Sequence, residues 1–319
     1  MPVQPASRLA PSPTGALHLG NARTFLVNWA LARQRGWRLV LRIEDLDTPR
    51  VKPGVLQDTV RTLGWLGVDW DEGPIVQSHD IAHHRTAMEQ LAAAGLVYPN
   101  DMTRKELLAL EAQGAPNEGH REAAFPASLR PPEIPSTFAD VHAAWRFCTP
   151  AGVVAFDDGF AGPQRVEPAR SVGDFVVWTR RDPGKPGQPA YQLAVVVDDH
   201  RQGVTHVVRG DDLIDSAGRQ ILLRHALGMG PPPAYFHLPL VRGVDGRRLA
   251  KRHGDTRLDA YRARGVAAER VVGLVAFWSG VSARREHMSA AEFLERFDLR
   301  TMPRTSATFT PEDDAWLIG

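Results

Sequence analysis

Two short stretches of this chain hold residue types at spacings suited to phosphate chemistry. In the first, an extended run, Ser7–Ala10, enters Pro11-Ser12-Pro13-Thr14-Gly15, whose prolines and glycine exclude both helix and central strand. His18-Leu19-Gly20-Asn21 then opens a predicted helix. Amides at a helix start are unpaired and sit at the positive end of the helix dipole, so they attract phosphate. Gly20 puts no side chain in the way of a nucleotide. His18 can donate to a phosphate oxygen while the nucleotide's bonds rearrange. The plain alternative is a strand-to-helix turn whose histidine merely caps or packs, and so short a pattern does not separate the two.

The second stretch follows the turn signal Val244-Asp245-Gly246 and gathers Arg247, Arg248, Lys251 and Arg252 on a predicted exposed loop. Charge runs are usually solvated patches. This chain, however, prefers arginine so strongly that lysine stands only at 52, 105, 185 and 251. A compact ammonium on a flexible stem fits between phosphates more readily than a planar guanidinium.

Both stretches need a scaffold. Apolar residues from Asn21 to Arg35 recur at helical spacing, and Gly36 stops that helix. Leu39–Ile43 reads as a buried strand, with helices at Pro53–Leu66 and His79–Ala94, which is the order of a βαβ unit in a parallel sheet. Prolines and small residues dominate 114–150, and strands are expected at Gly152–Phe156, Phe175–Thr179 and Ala190–Val197. Residues 98–190 therefore read as an inserted subdomain, a long irregular loop being the alternative. Alternation returns with Tyr191–Val197, Thr205–Arg209, a helix at Asp215–Leu227 and a strand at His237–Val241. Helices at 257–264, 267–279 and 289–297 follow. The expected fold is α/β: a Rossmann-like parallel sheet from 1–97 and 191–255, an inserted α+β subdomain at 98–190, and a short helical C-terminal region at 256–319.

The bulk composition removes several classes. One cysteine, Cys148, excludes a disulfide-stapled scaffold, and 319 residues can bury a core without such support. No apolar run reaches membrane-spanning length and no signal pattern opens the chain, so a cytoplasmic monomer is expected. A net charge of +1 offers nucleic acid no global field, although a local basic face would suffice.

Arg8-Leu-Ala-Pro-Ser-Pro-Thr-Gly-Ala-Leu-His-Leu-Gly-Asn21 resembles the first signature of class I aminoacyl-tRNA synthetases, in the form of the glutamyl and glutaminyl branch. Asn21 replaces the histidine of the commonest form. Arg248-Leu-Ala-Lys-Arg252 resembles the second signature, with Arg248 for lysine and Ala250 for serine, and His253-Gly254-Asp255 follows as in glutamyl enzymes. The resemblance covers roughly residues 5–260. It implies ATP, taken with Mg²⁺, at Pro11, Thr14, Gly15, His18, Gly20, Asn21, Arg248, Leu249, Ala250, Lys251 and Arg252, with His18 and Lys251 catalytic. It also implies an L-glutamate pocket of Arg8, Ala10, Ser12, Glu44, Tyr191 and Arg209. Glutamate needs an acid for its ammonium and arginines for its carboxylates. Arg8, Glu44 and Arg209 lie at or near strand ends, where open parallel sheets bind ligands. An ion pair of Glu44 with Arg42 or Arg50 competes with that role, and Asp198 and Asp199 read as helix caps rather than metal ligands.

The tail after Arg252 is too short for the helical anticodon-binding region of full glutamyl-tRNA synthetases, so no such domain is expected. That architecture is similar to the glutamyl-queuosine tRNA(Asp) synthetase family. The likeness implies tRNA-independent glutamate activation and transfer to queuosine in the tRNA(Asp) anticodon loop. Zinc often sits in the insert of relatives. Here Asn100, Met102, Asn117 and Arg121 stand at the ligand positions, so a thiolate set is missing and zinc is expected to be absent. Two other readings stay open: a truncated glutamyl-tRNA synthetase charging tRNA(Glu), and an idle paralogue that binds tRNA or amino acid.

Overall fold

The computed structural model describes residues 4–13, 15–46, 54–103, 106–107, 124–181, 185–247, 249 and 255–319. β1 (Ala6–Leu9), α1 (Leu19–Arg35), β2 (Arg38–Ile43), α2 (Val55–Trp65), β3 (Glu72–Val76) and α3 (Ala82–Ala93) alternate along the first part. β1 is buried throughout and β2 nearly so, because a parallel sheet covered by helices has no polar face. β1 pairs with β2, and β2 with β3, in parallel. α1 runs from the His18 cap to Gly36, whose φ of 65° supplies the left-handed turn that ends it.

The middle of the chain holds β4 (Val97–Pro99), β5 (Trp145–Phe147), the hairpin β6 (Val154–Asp158) and β7 (Gly162–Val166), then β8 (Val176–Thr179) and β9 (Gln188–Pro189). β4, β5, β8 and β9 form one antiparallel sheet, whose aromatic residues Trp145, Phe147 and Trp178 bury a core with Phe138 and Phe175. The β6–β7 hairpin instead joins the main sheet, as described next.

The run Tyr191–Val197, expected as a strand, is a helix, α4 (Tyr191–Arg201). Every residue from Gln192 to Asp199 is buried, so no exposed face marks a helical period and a valine-rich run reads as strand. β10 (His206–Gly210), α5 (Ile214–Ala226) and β11 (Ala234–Leu238) follow. β10 and β11 pair in parallel, and β6 meets β11 at Tyr235↔Asp158. The Thr205 amide donates to the Ala6 carbonyl at 2.9 Å, setting β10 beside β1. The chain thus leaves β1 toward β2 on one side and β10 toward β11 on the other. This reversal is the switch point at which open α/β sheets form a ligand crevice.

β12 (Val241–Arg242), α6 (Leu258–Ala263), α7 (Ala268–Trp278), α8 (Ala290–Arg296), β13 (Ala307–Thr308) and α9 (Pro311–Ile318) complete the chain, with β12 and β13 paired in parallel. Their apolar faces share one core with α1. Among the described residues no helix is long and apolar enough to cross a membrane.

Candidate active site

A cleft of about 530 Å³ opens at the carboxyl ends of the strands around that switch point, a volume suited to a small ligand. Arg8, Ala10, Pro11, Ser12, Gly15, His18, Gly20, Asn21, Glu44, Tyr191 and Arg209 all line it. Four distant segments thus deliver their expected residues to one place. Leu249 does not join them: its side chain is buried in the core and its amide donates to the Val241 carbonyl at 3.3 Å. Thr14, Arg248, Ala250, Lys251 and Arg252 lie outside the described residues.

At one end of the cleft, α1 begins with a reciprocal cap. His18 Nδ1 accepts from the amides of Gly20 (3.1 Å) and Asn21 (3.4 Å), while Asn21 Oδ1 accepts from the His18 amide at 3.1 Å. The Leu19 amide donates to the Thr256 carbonyl at 3.1 Å. The first amides are therefore partnered, against expectation, because the imidazole folds back over those of Gly20 and Asn21 and the Thr256 carbonyl takes that of Leu19. The capping reading of His18 holds, and the same residue lines the cleft. With Nδ1 accepting, the neutral ring carries its proton on Nε2, and the cleft keeps the helix dipole's field. A Cβ on Gly20 would stand 3.0 Å from His18 Cε1, so glycine here leaves room for the ring itself.

The two sequence stretches also meet. Leu19 bonds to Thr256, and the Leu258 amide donates to the Leu17 carbonyl at 2.8 Å. Residues on both sides of 250–254 are thereby anchored, Leu249 at β12 and Thr256 at the start of α1.

At the other end, charge is buried and interlocked. Arg42, fully buried, donates to Asp199 Oδ1 at 2.8 Å and to Glu44 Oε1 at 3.0 Å. Burial works against its charge, yet Asp199 and Glu44 outweigh it and hold the guanidinium above its ordinary range. Burial also pushes the Glu44 carboxyl up, with Arg42 and Arg8 offsetting only part of this. The competing Arg42–Glu44 ion pair is thus present, but both Arg42 bonds go to Oε1. Arg8 Nε lies 3.5 Å from the same Asp199 oxygen. Asp198 faces the other way, to Gln77 (2.7 Å) and His84 (3.2 Å). Neither aspartate caps a helix start; both lie near the end of α4 as buried counter-charges.

Sequence reasoning missed what holds Arg209. Its Nε donates to His237 Nε2 at 3.0 Å, and its terminal nitrogens to Gln220 Oε1 at 2.8 Å and the Leu213 carbonyl at 3.2 Å. It also missed Arg23, buried in α1, which bonds the carbonyls of Pro239 (2.6 Å) and Trp278 (3.1 Å) and lines the cleft. Burial pulls this guanidinium down to about 10. A single arginine within an apolar helical run was the only signal for Arg23.

Among the described residues no group of three or more His, Cys, Asp or Glu could hold a metal ion. Asn100 Oδ1 accepts from the Met102 amide at 3.0 Å, and both Met102 and Cys148 pack against a small core of Tyr98, Leu107 and Phe125. Asn117 and Arg121 lie outside the described residues.

The family described as tRNA synthetases class I (E and Q), catalytic domain, matches residues 6–314. A Glutamyl-Q tRNA(Asp) synthetase of Symbiobacterium thermophilum is 45% identical over 98% of both chains. One of Rhodopirellula baltica is 43% identical over 91% of this chain and 92% of its own. A glutamate--tRNA ligase of Paraburkholderia phytofirmans is 38% identical over 98% of this chain but only 65% of its own. A crystal structure of a glutamate tRNA ligase from Elizabethkingia meningosepticum, in complex with its amino acid, superposes with a TM-score of 0.80 at 27% identity, over 98% of this chain and 68% of that one.

Proposed function

We propose a reaction from one premise: the chain belongs to the class I tRNA synthetases of the E and Q branch. It activates L-glutamate with ATP, without needing tRNA, and transfers the glutamate to queuosine in the tRNA(Asp) anticodon loop. The observation that carries this reading is the convergence of His18, Glu44, Tyr191 and Arg209 on one cleft. The acceptor is favoured by near-full-length likeness to proteins named Glutamyl-Q tRNA(Asp) synthetase, whereas the ligases match over about two thirds of their length.

In the first step a glutamate α-carboxylate oxygen attacks the α-phosphorus of ATP, and the bond to the β-phosphate breaks to release pyrophosphate. Little covalent chemistry falls to the protein, so its work is positioning and charge neutralisation. The Glu44 carboxylate takes the ammonium, and Arg8 and Arg209 face the carboxylates. His18 Nε2–H donates to a phosphate oxygen, and Lys251 is assigned to the phosphates from its sequence. The anchoring of Thr256 at the helix start, with Leu249 held at β12, supports that assignment by fixing one flank of its segment beside α1. Mg²⁺ fits as an ion carried by the phosphates, which need no protein cage around it. In the second step a queuosine hydroxyl attacks the adenylate's carbonyl carbon, releasing AMP and a proton. Splayed anticodon bases suit such an approach.

ATP–pyrophosphate exchange with glutamate, run without tRNA, tests the first step; no exchange would leave only a binding protein. Labelled glutamate offered to tRNA(Asp) with and without queuosine, beside tRNA(Glu), tests the second. Labelling of the queuosine form alone is expected, and labelling of tRNA(Glu) alone would replace this function with ordinary charging. Lys251→Ala should abolish exchange with the fold intact.

A further inference from the structure

Arg8 and Arg42 face carboxylates, but Arg209 does not. Its three bonds go to an imidazole nitrogen, an amide oxygen and a backbone carbonyl. Among the described residues no carboxylate lies within ion-pairing distance of it, although it is only 5% exposed. A buried guanidinium with neutral partners keeps its charge for whatever enters the cleft.

The neutral acceptor is arranged from the inserted hairpin. Asp158, at the end of β6, accepts from the amides of Phe160 (2.9 Å), Ala161 (2.7 Å) and His237 (3.1 Å), so it stays an ionised acceptor. His237 Nδ1 must then donate to Asp158 Oδ2, at 2.6 Å, and the neutral ring offers only the lone pair of Nε2 to Arg209. Gln220 is oriented in the same way, since its amide nitrogen donates to Gln192 Oε1 at 3.0 Å.

We propose that the Asp158–His237 pair positions Arg209, fixing the imidazole tautomer so that the guanidinium is held without being neutralised and is aimed at a carboxylate of the bound amino acid. This rests on the cleft being a glutamate site. His237 and Asp158 are positioning residues, since Arg209 alone of the three lines the cleft.

Protonated His237 could not accept from Arg209 and would set a second cation against it. Burial lowers the imidazole below its ordinary 6.5, with Asp158 opposing and Arg209 reinforcing the shift. Asp158 faces the ring from β6, Arg209 from β10, and Asp211 from just beyond β10; Tyr235 stacks on it from its own strand. The arrangement therefore holds at neutral pH and fails as pH falls through that lowered value.

Exchange kinetics of the full chain test this with two variants. In His237→Asn the amide reproduces Nδ1 but leaves nothing at Nε2, whereas His237→Gln keeps an acceptor near Nε2. The asparagine variant is expected to raise the KM for glutamate roughly tenfold or more with the KM for ATP unchanged, and the glutamine variant to recover most of the loss. The wild type should lose kcat/KM for glutamate at acid pH more steeply than the glutamine variant, which lacks the titrating ring. Glu44 titrates in both proteins, so the difference between the two profiles is the readout. Equal damage from both variants, a KM for ATP that rises in step, or superimposable pH profiles would overturn the positioning role. Absence of glutamate-dependent exchange in the wild type would remove the glutamate reading, and this proposal with it. Should His237→Asn fail to fold, the two pH profiles decide.

Discussion

The two ends of the cleft meet charge by different means. At one end Arg8, Arg42 and Asp199 are buried and Glu44 nearly so, and they are linked by ion pairs across β1, β2 and α4. At the other, α1 offers a neutral imidazole, its own amides already partnered, and the field of its dipole. The first arrangement exists only once the sheet has assembled, so its parts carry stability as well as recognition. The second is made within four residues of chain and can be altered with little damage to the fold. Substitutions at the two ends should therefore separate stability from rate.

The largest effect is expected from Arg42→Met. It strands Asp199 and Glu44 without their guanidinium, and breaking such a buried pair costs about 3–5 kcal/mol. Urea unfolding measures it, and a loss below about 1 kcal/mol would erase the contrast between the ends. Next comes His18. His18→Ala should slow exchange by roughly 100- to 1000-fold, about 2.7–4 kcal/mol, as loss of one preorganised donor does. It should cost only about 1 kcal/mol of stability through the lost cap. His18→Asn sharpens the point, since asparagine caps well but brings no Nε2–H. Its stability should match the wild type within about 0.5 kcal/mol while the rate stays as low as in alanine. Equal activity in the asparagine variant would assign His18 to capping alone.

How far sequence reached follows the same division. The loop and helix start that line the cleft were legible because they lie in consecutive residues, and the main strands because they are short apolar runs between turns. The ends of β1 and β10 were legible as cleft-lining positions through their place in a parallel sheet. The partnered amides of Gly20 and Asn21 were not, because a cap depends on one side-chain rotation. Helix α4 was misread because burial on every side removes the periodic signal, and with it went the true role of Asp199. The pair Asp158–His237 was invisible for another reason: its members lie 79 residues apart and meet only through the β6–β11 pairing.

A smaller effect is expected at Gly20. An added Cβ would press on His18 Cε1 and Nδ1 at 3.0 and 3.1 Å, and the ring must tilt by a few tenths of an ångström. Gly20→Ala gains up to about 1 kcal/mol of helix propensity, so stability should hold while exchange falls about tenfold through misplacement of Nε2. A stable variant with undiminished exchange would show that the ring's position is not critical.

The smallest effect belongs to Asn21→Ala. Asn21 Oδ1 holds the His18 amide at 3.1 Å, the return half of the cap, and touches the reaction only through the orientation of that turn. The site is part-exposed, so water can replace the lost acceptor and the cost should stay near 0.5–1 kcal/mol, at the low end for a hydrogen bond. His18 Nδ1 would keep both its donors, since these are backbone amides that alanine also supplies. The tautomer, and hence the Nε2 donor, should survive. Exchange is expected within about threefold of wild type, in line with a perturbation below about 1 kcal/mol. A loss as deep as that of His18→Ala would mean that Asn21 meets the nucleotide directly, and the helix start would then be a two-residue site.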